Sequence, residues 1–193
     1  MQTGAQRGLA NVDFAIDKAA SRFSVQAFAT GLLSSFGHNP RIEIRDYTAE
    51  IQCVPETFEK ALLRVTVQTV AMEVLDEMKK EDRQKLEREM YDNVLEVSRF
   101  PTATYESREI RVQKLSGELL RVQVSGDLSF HGVVQSQPLQ ANVTVLGTKL
   151  RISGDFSLRQ SDYGIKPVSF AAGALRLKDE LKFTFDLVAQ RKD

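Results

Sequence analysis

Ser125-Gly-Asp-Leu-Ser-Phe-His-Gly132 is echoed downstream by Ser153-Gly-Asp-Phe-Ser-Leu-Arg-Gln-Ser-Asp-Tyr-Gly-Ile165. Both copies read Ser-Gly-Asp-apolar-Ser-apolar, and both sit inside runs of strict alternation. In the first, Val122, Val124, Leu128 and Phe130 share one face, with Arg121, Gln123, Asp127 and Ser129 on the other. In the second, Leu150, Ile152, Phe156 and Leu158 oppose Arg151, Ser153, Asp155 and Ser157. A period of two marks half-buried antiparallel strands, and a glycine at the same phase in each predicts bends at Gly126 and Gly154. The expectation is a sheet curved around an apolar interior.

The rest of the chain sets limits on that interior. Its 193 residues suit one domain, assigned to 12–191 behind an N-terminal extension of 1–11. Basic and acidic residues balance at 26 each, so no global field draws in nucleic acid. The lone Cys53 excludes an internal disulfide and a cysteine-based zinc cluster, and reads as a small buried hydrophobe. Residues 1–10 carry no apolar core of a signal peptide, and no run is long enough to span a bilayer. The chain as written is expected in the cytoplasm, or in the periplasm if an export signal has been trimmed.

Strand signals dominate the pass along the chain. Val12–Asp17 leads through a turn at 18–21 to Arg22–Thr30, and a Gly- and Pro-bearing connection follows over 31–40. In 41–54 the apolar phase slips from Ile42 and Ile44 to Tyr47, Ala49 and Ile51, which predicts a β-bulge near Arg45-Asp46. Further strands are expected over 62–70, 102–112, 118–131, 136–146, 149–160 and 180–190. Between them the period changes. Leu75, Met78, Leu86, Met90, Val94 and Val97 recur at three- and four-residue steps or their sums, which predicts one helix over 72–97, or two broken near 79–81. Its interspersed charges read as a solvated face, and Pro101 ends it. The small apolar segment within 165–178 reads as a short helix or a loop across a barrel mouth. Eight to nine strands with one helical insertion fit a closed antiparallel barrel, which needs no edges, better than an open sheet.

Four ordered features resemble the YceI-like family: Phe14…Asp17…Ser21-Arg-Phe-Ser-Val25, Arg99-Phe-Pro-Thr-Ala-Thr-Tyr-Glu-Ser107, the repeat with His131-Gly132, and Asp162-Tyr-Gly-Ile165. The resemblance spans about residues 12–190. It implies a mainly β fold: an extended, lipocalin-like antiparallel barrel of about eight strands with a helical insertion around 72–98. It also implies a bacterial lipid-binding protein that takes a polyisoprenoid or similar long-chain amphiphile, in a family whose members are often periplasmic and sometimes dimeric. The chain departs from the family pattern in lacking an export signal and in the makeup of its 32–40 loop.

If the faces carrying Phe23, Val25, Ile42, Ile44, Val65, Val67, Val122, Val124, Leu128, Ile152, Phe156, Phe183 and Phe185 point inward, the lumen is apolar throughout. Gly126, Gly154, Ala27 and Ala29 leave room along it. The pattern fits either a ligand cavity or a core packed solid by side chains. The candidate ligand-binding residues are Phe23, Val25, Val65, Val67, Val124, Leu128, Phe156 and Phe183 for a tail, with Tyr163, Arg45 and Asp46 for a headgroup. Met72, Met78 and Met90 either gate a mouth or seal helix to sheet.

His131 before Gly132 reads as a turn-bonding imidazole, and His38 lies in the 31–40 connection. Neither has metal-ligand or triad spacing, and no cofactor is called for. An enzyme is therefore not expected. The partner expected is an isoprenoid, quinone-like or fatty-acyl amphiphile, and the apolar stretch 168–177 permits a homodimer. The alternative is a ligand-free interaction scaffold whose charged helix meets a protein partner.

Overall fold

The computed structural model describes residues 11–30, 39–54, 58, 61–170 and 175–192. Its strands are β1 (Val12–Ile16), β2 (Arg22–Gln26), β3 (Ala29–Thr30), β4 (Arg41–Ile44), β5 (Tyr47–Cys53), β6 (Leu62–Gln68) and β7 (Met72–Val74). After the helix come β8 (Thr102–Ser116), β9 (Leu119–Phe130), β10 (Val133–Ser136), β11 (Leu139–Leu146) and β12 (Lys149–Arg159). The last are β13 (Ser169–Phe170), β14 (Leu175–Leu177) and β15 (Glu180–Arg191).

Pairing runs β1-β5-β6-β8-β9-β11-β12-β15, and β15 returns to β1 through Phe14↔Arg191 and Ile16↔Ala189. The result is a closed eight-stranded antiparallel barrel. β2, β4 and β7 extend three of its staves: β2 pairs with β15, β4 with β2, and β7 with β4. Each of those staves is therefore interrupted midway. The breaks are a 3-10 turn at Lys18–Ala20, the step at Arg45-Asp46, and a 3-10 turn at Thr69–Ala71. The Arg45 amide donates to the Ala71 carbonyl at 2.8 Å, tying two of these breaks together. The phase slip at 45–46 is thus a full interruption between β4 and β5 rather than a bulge within one strand. Register shifts lie in β8 instead, against β9, between Ser107 and Glu109 and again between Lys114 and Ser116.

The stretch 72–98 is also different from the expected helix. Met72–Val74 is β7, residues 75–79 are extended or irregular, and the helix α1 (Lys80–Glu89) runs into a π-turn over Met90–Val94. Its first turn carries Glu81 and Asp82 and its last Arg88, the charge order a helix dipole favours. The short β7 leaves one edge unpaired within the sheet, and the helix covers it. Val74 N donates to Glu87 Oε1 (3.0 Å), the Arg83 guanidinium donates to Asp76 O (3.0 Å), and the Tyr91 hydroxyl donates to Met72 O.

Two further expectations are revised. Arg22–Thr30 is not one strand: β3 leaves the barrel and joins β14, which pairs with β13, as a small separate sheet. The segment 165–178 thus contributes two short strands of that sheet, not a helix or a loop, with 171–174 outside the described residues. Most of the N-terminal extension and most of the 31–40 connection, His38 included, also lie outside them.

Candidate functional site

Alternation along the staves aims one apolar face of each inward. The end of the barrel carrying α1 buries Val25, Ile44, Val67, Met90, Phe130, Leu158 and Phe183 together. The opposite end buries Phe14, Cys53, Leu120, Val143, Leu150 and Ala189. Between and through these clusters runs a cavity of about 300 Å³. Its wall is apolar along its length. It extends from Ala27, Pro40, Leu86, Val168 and Leu177 at the helix end to Cys53, Phe58, Ala61 and Leu62 at the other. Along β12 the lining runs from Leu150 to Leu158 and ends on Gln160. At about 3.3 Å per residue and a strand tilt near 40°, that is a lumen about 25 Å long. A modest volume spread over that length makes a slender tube.

Eight of the nine candidate ligand-binding residues line this tube: Phe23, Val25, Val65, Val67, Val124, Leu128, Phe156 and Phe183. Phe156 and Phe183 stack at 4.7 Å with planes 8° apart, and Phe23 meets Tyr47 edge to face at 5.6 Å. The ninth, Tyr163, does not line it. It is 2% exposed and lies behind Phe130, ring centroids 5.5 Å apart. The other headgroup candidates also face away from the lumen. Arg45 pairs with Glu43 (2.6 Å) and Glu73 (2.8 Å), and Asp46 pairs with Lys18 (2.7 Å), at the seam where the staves break. Met72 and Met90 line the cavity, so Met72 does so from a strand; Met78 is not part of the lining.

The glycines of the repeat do not leave room for a ligand. A Cβ on Gly126 would stand 2.5 Å from both the Glu106 carbonyl oxygen and the Tyr105 hydroxyl. One on Gly154 would stand 2.6 Å from Gln140 O and 2.7 Å from the Phe185 ring. Aromatic rings from neighbouring strands lie over both glycines, a pairing that rescues a side-chain-free position in a sheet. The Tyr105 hydroxyl then donates to Gln137 O (3.1 Å). Burial pushes its phenol up to about 12, with the Asp127 charge adding and Arg108 opposing. The matched carboxylates of the repeat point outward, Asp127 to Arg108 and Asp155 to Lys182, each at 3.3 Å.

His131 behaves as a turn residue. It and Gly132 take positive φ (50° and 76°), forming the two-residue connection from β9 to β10. Its Nδ1 donates to Tyr163 O (3.1 Å), its ring packs on Phe100 (4.3 Å), and its Nε2 lies 3.1 Å from Glu96, off the line of a hydrogen bond. Among the described residues no cluster of His, Cys, Asp and Glu is placed to hold a metal ion. No helix of the described residues is long and apolar enough to cross a membrane.

Sequence reading missed part of the lining: Ala49, Ile51 and Cys53 on β5, and Ile110 and Val112 on β8. The signal for the last two was present, because the buried phase moves from Ala103 and Tyr105 to Ile110 and Val112, from odd to even.

A closed antiparallel barrel around an apolar lumen places the chain among lipocalin-like barrel proteins. The YceI-like domain model matches residues 14–189, and the chain belongs to that family. The crystal structure of Burkholderia cenocepacia BcnA superposes with a TM-score of 0.71 at 15% identity, covering 91% of this chain and 99% of that one. A polyisoprenoid-binding domain from Saccharophagus degradans, implicated in plant cell wall breakdown, gives 0.68 at 15% identity over 93% and 98%. The Campylobacter jejuni YceI protein gives 0.63 at 17% identity over 81% and 88%. At these identities the likeness is one of fold. No curated protein matches the sequence.

Proposed function

We propose that the protein binds a long-chain hydrophobic ligand inside the barrel, and so carries or sequesters it. The ligand classes are a polyisoprenoid, a quinone-like lipid or a fatty-acyl amphiphile. The observation that carries this reading is the continuous apolar lumen, about 300 Å³ in volume, lined by Phe23, Val65, Leu128 and Phe156 among others. Membership of the YceI-like family and the likeness to a polyisoprenoid-binding domain support it. Burial gains roughly 0.8 kcal/mol per methylene, so about a dozen carbons supply about 10 kcal/mol, enough to offset a typical cost of association. No step of this function needs a nucleophile, acid or base.

The test is native mass spectrometry of protein purified from its host, followed by solvent extraction. A stoichiometric adduct that releases a long-chain lipid is expected. Bare chain mass in repeated preparations, together with no uptake when delipidated protein is offered prenols, quinones and fatty acids, would refute the proposal. The scaffold alternative assumes a barrel filled by side chains, and the cavity argues against that premise. Partner capture that vanishes on charge reversal along Lys79–Arg88 would nevertheless restore it.

A further inference from the structure

We infer that the barrel selects an uncharged lipid, such as a prenol, a quinone-like ketone or a hydrocarbon, over the same tail bearing a phosphate, diphosphate or carboxylate. This rests on the reading of the protein as a carrier of long-chain ligands and narrows it. Among the described residues the lining has no Lys or Arg; its one charged side chain is Glu89, at the helix end of the tube. An anionic head drawn into this lumen would meet no counter-charge among the described lining residues and would face a carboxylate at the helix end.

Each of the two amides of the wall has an N–H engaged within the protein, as has the Tyr105 hydroxyl. Gln160 Nε2 donates to Lys178 O (3.0 Å), Gln137 Nε2 to Pro138 O (3.2 Å), and the Tyr105 hydroxyl to Gln137 O (3.1 Å). Glu89 Oε2 accepts from Asn93 Nδ2 (2.7 Å), which holds that carboxylate in place. The Tyr47 hydroxyl is buried beside Ser21 without a formed hydrogen bond, and burial raises its pKa and keeps it neutral. Several cations of the barrel are spent outside: Arg45 on Glu43 and Glu73, Arg108 on Asp127, Arg151 on Asp186, and Lys182 on Asp155. An unpaired charge in such a place is far more costly than a hydroxyl or ketone, which needs one hydrogen bond or none.

The experiment compares one tail with two heads. Delipidated full-length chain is titrated with geranylgeraniol and with geranylgeranyl diphosphate, below their aggregation limits, and bound fractions are read by native mass spectrometry. Geranylgeraniol should bind more than about tenfold tighter. Glu89→Lys should shift the ratio of the two affinities toward the diphosphate by about fivefold, as one added rim cation would. Equal or tighter binding of the diphosphate overturns the inference and leaves the carrier reading standing; it would mean that the head projects past the rim, toward Lys178 beside Phe28. A ratio unmoved by Glu89→Lys removes the role assigned to Glu89. Binding of neither lipid overturns this inference, and the carrier reading falls with it only if quinones and fatty acids are refused as well.

Discussion

Gly126→Ala tests how the curved sheet is built. Gly126 has no positive φ to preserve, so the substitution acts through space alone. Its new methyl would lie 2.5 Å from the Glu106 carbonyl oxygen and 2.5 Å from the Tyr105 hydroxyl, and the first of these is backbone of the paired strand. Overpacking of this kind costs about 1–3 kcal/mol. Displacing the Tyr105 phenol also endangers its bond to Gln137 O, worth about 1 kcal/mol. Against this, alanine restricts the unfolded chain and returns about 0.4–1 kcal/mol. The net is about 2 kcal/mol of destabilisation, or a melting temperature about 4–8 °C lower for a chain of this size. Thermal melts followed by circular dichroism, on delipidated protein so that ligand does not raise the midpoint, read it directly. Repeating the substitution in a Tyr105→Leu background removes one of the two clashes. Its cost should fall by about 1 kcal/mol without vanishing, since the Glu106 carbonyl remains. An unchanged or higher melting temperature for Gly126→Ala, or strict additivity in the cycle, would show that the Tyr105 ring does not occupy the glycine's space.

Three other outcomes follow from the same geometry. Phe156→Ala removes the ring stacked on Phe183 and should cost about 3 kcal/mol while widening the lumen; uptake of bulkier lipids than the wild type accepts, seen by native mass spectrometry, is the accompanying sign, and a variant no less stable would contradict the stacked arrangement. The Tyr105 phenol is held up to about 12, so the folded state keeps its proton more tightly than the unfolded chain does. Its contribution to stability is complete below about pH 10 and is lost as pH rises through about 12, a slope in urea midpoints that Tyr105→Phe should flatten. His131→Ala forfeits the bond to Tyr163 O and the packing on Phe100, about 2 kcal/mol, whereas His131→Asn should cost less because asparagine tolerates the positive φ; equal melting temperatures for the two would remove backbone conformation from the account.

The barrel was legible because alternation is a direct imprint of a surface with one wet and one dry face. The faces assigned to β9 and β12 from their repeat are the faces the structure buries, and the phase change at Arg45-Asp46 marks a real discontinuity. What failed to show has physical reasons. Met72-Glu-Val74 is too short for a period, and its pairing is decided by the distant β4, so it vanished into the helical pattern that follows. The hairpin of β13 and β14 is likewise fixed by a partner, β3, far away in sequence. The glycine positions announced an empty place in the sheet. Which ring fills it depends on the neighbouring strand, the diagonal Tyr105 for Gly126 and the directly opposed Phe185 for Gly154, and no single strand can record that. The headgroup candidates lie off the lumen for related reasons: Arg45 and Asp46 mark a strand break where their partners are other charges on adjacent broken staves, and Tyr163 packs behind Phe130.

Those breaks explain the polar residues that the fold buries. The buried polar or charged residues among the described ones are Ser21, Glu43, Thr69 and Gln160, and each sits at or beside an interruption of a strand ladder. Ser21 Oγ donates to Asp17 O (2.6 Å) and accepts from Val188 N (2.9 Å) beside the turn between β1 and β2. Thr69 Oγ1 donates to Phe100 O (2.8 Å) at the turn between β6 and β7, and the Glu43 carboxylate meets Arg45 at the step between β4 and β5. Gln160 reaches Lys178 O where β12 ends. Buried backbone groups must be paired, and a ladder that stops needs side chains to finish it. These four buried polar side chains are therefore accounted for by the wall, and of them only Gln160 lines the lumen. What remains facing the lumen among the described residues is hydrocarbon and aromatic ring, the Tyr47 hydroxyl, the Gln137 and Gln160 amides and the Glu89 carboxylate, so the wall offers a guest almost nothing but apolar surface.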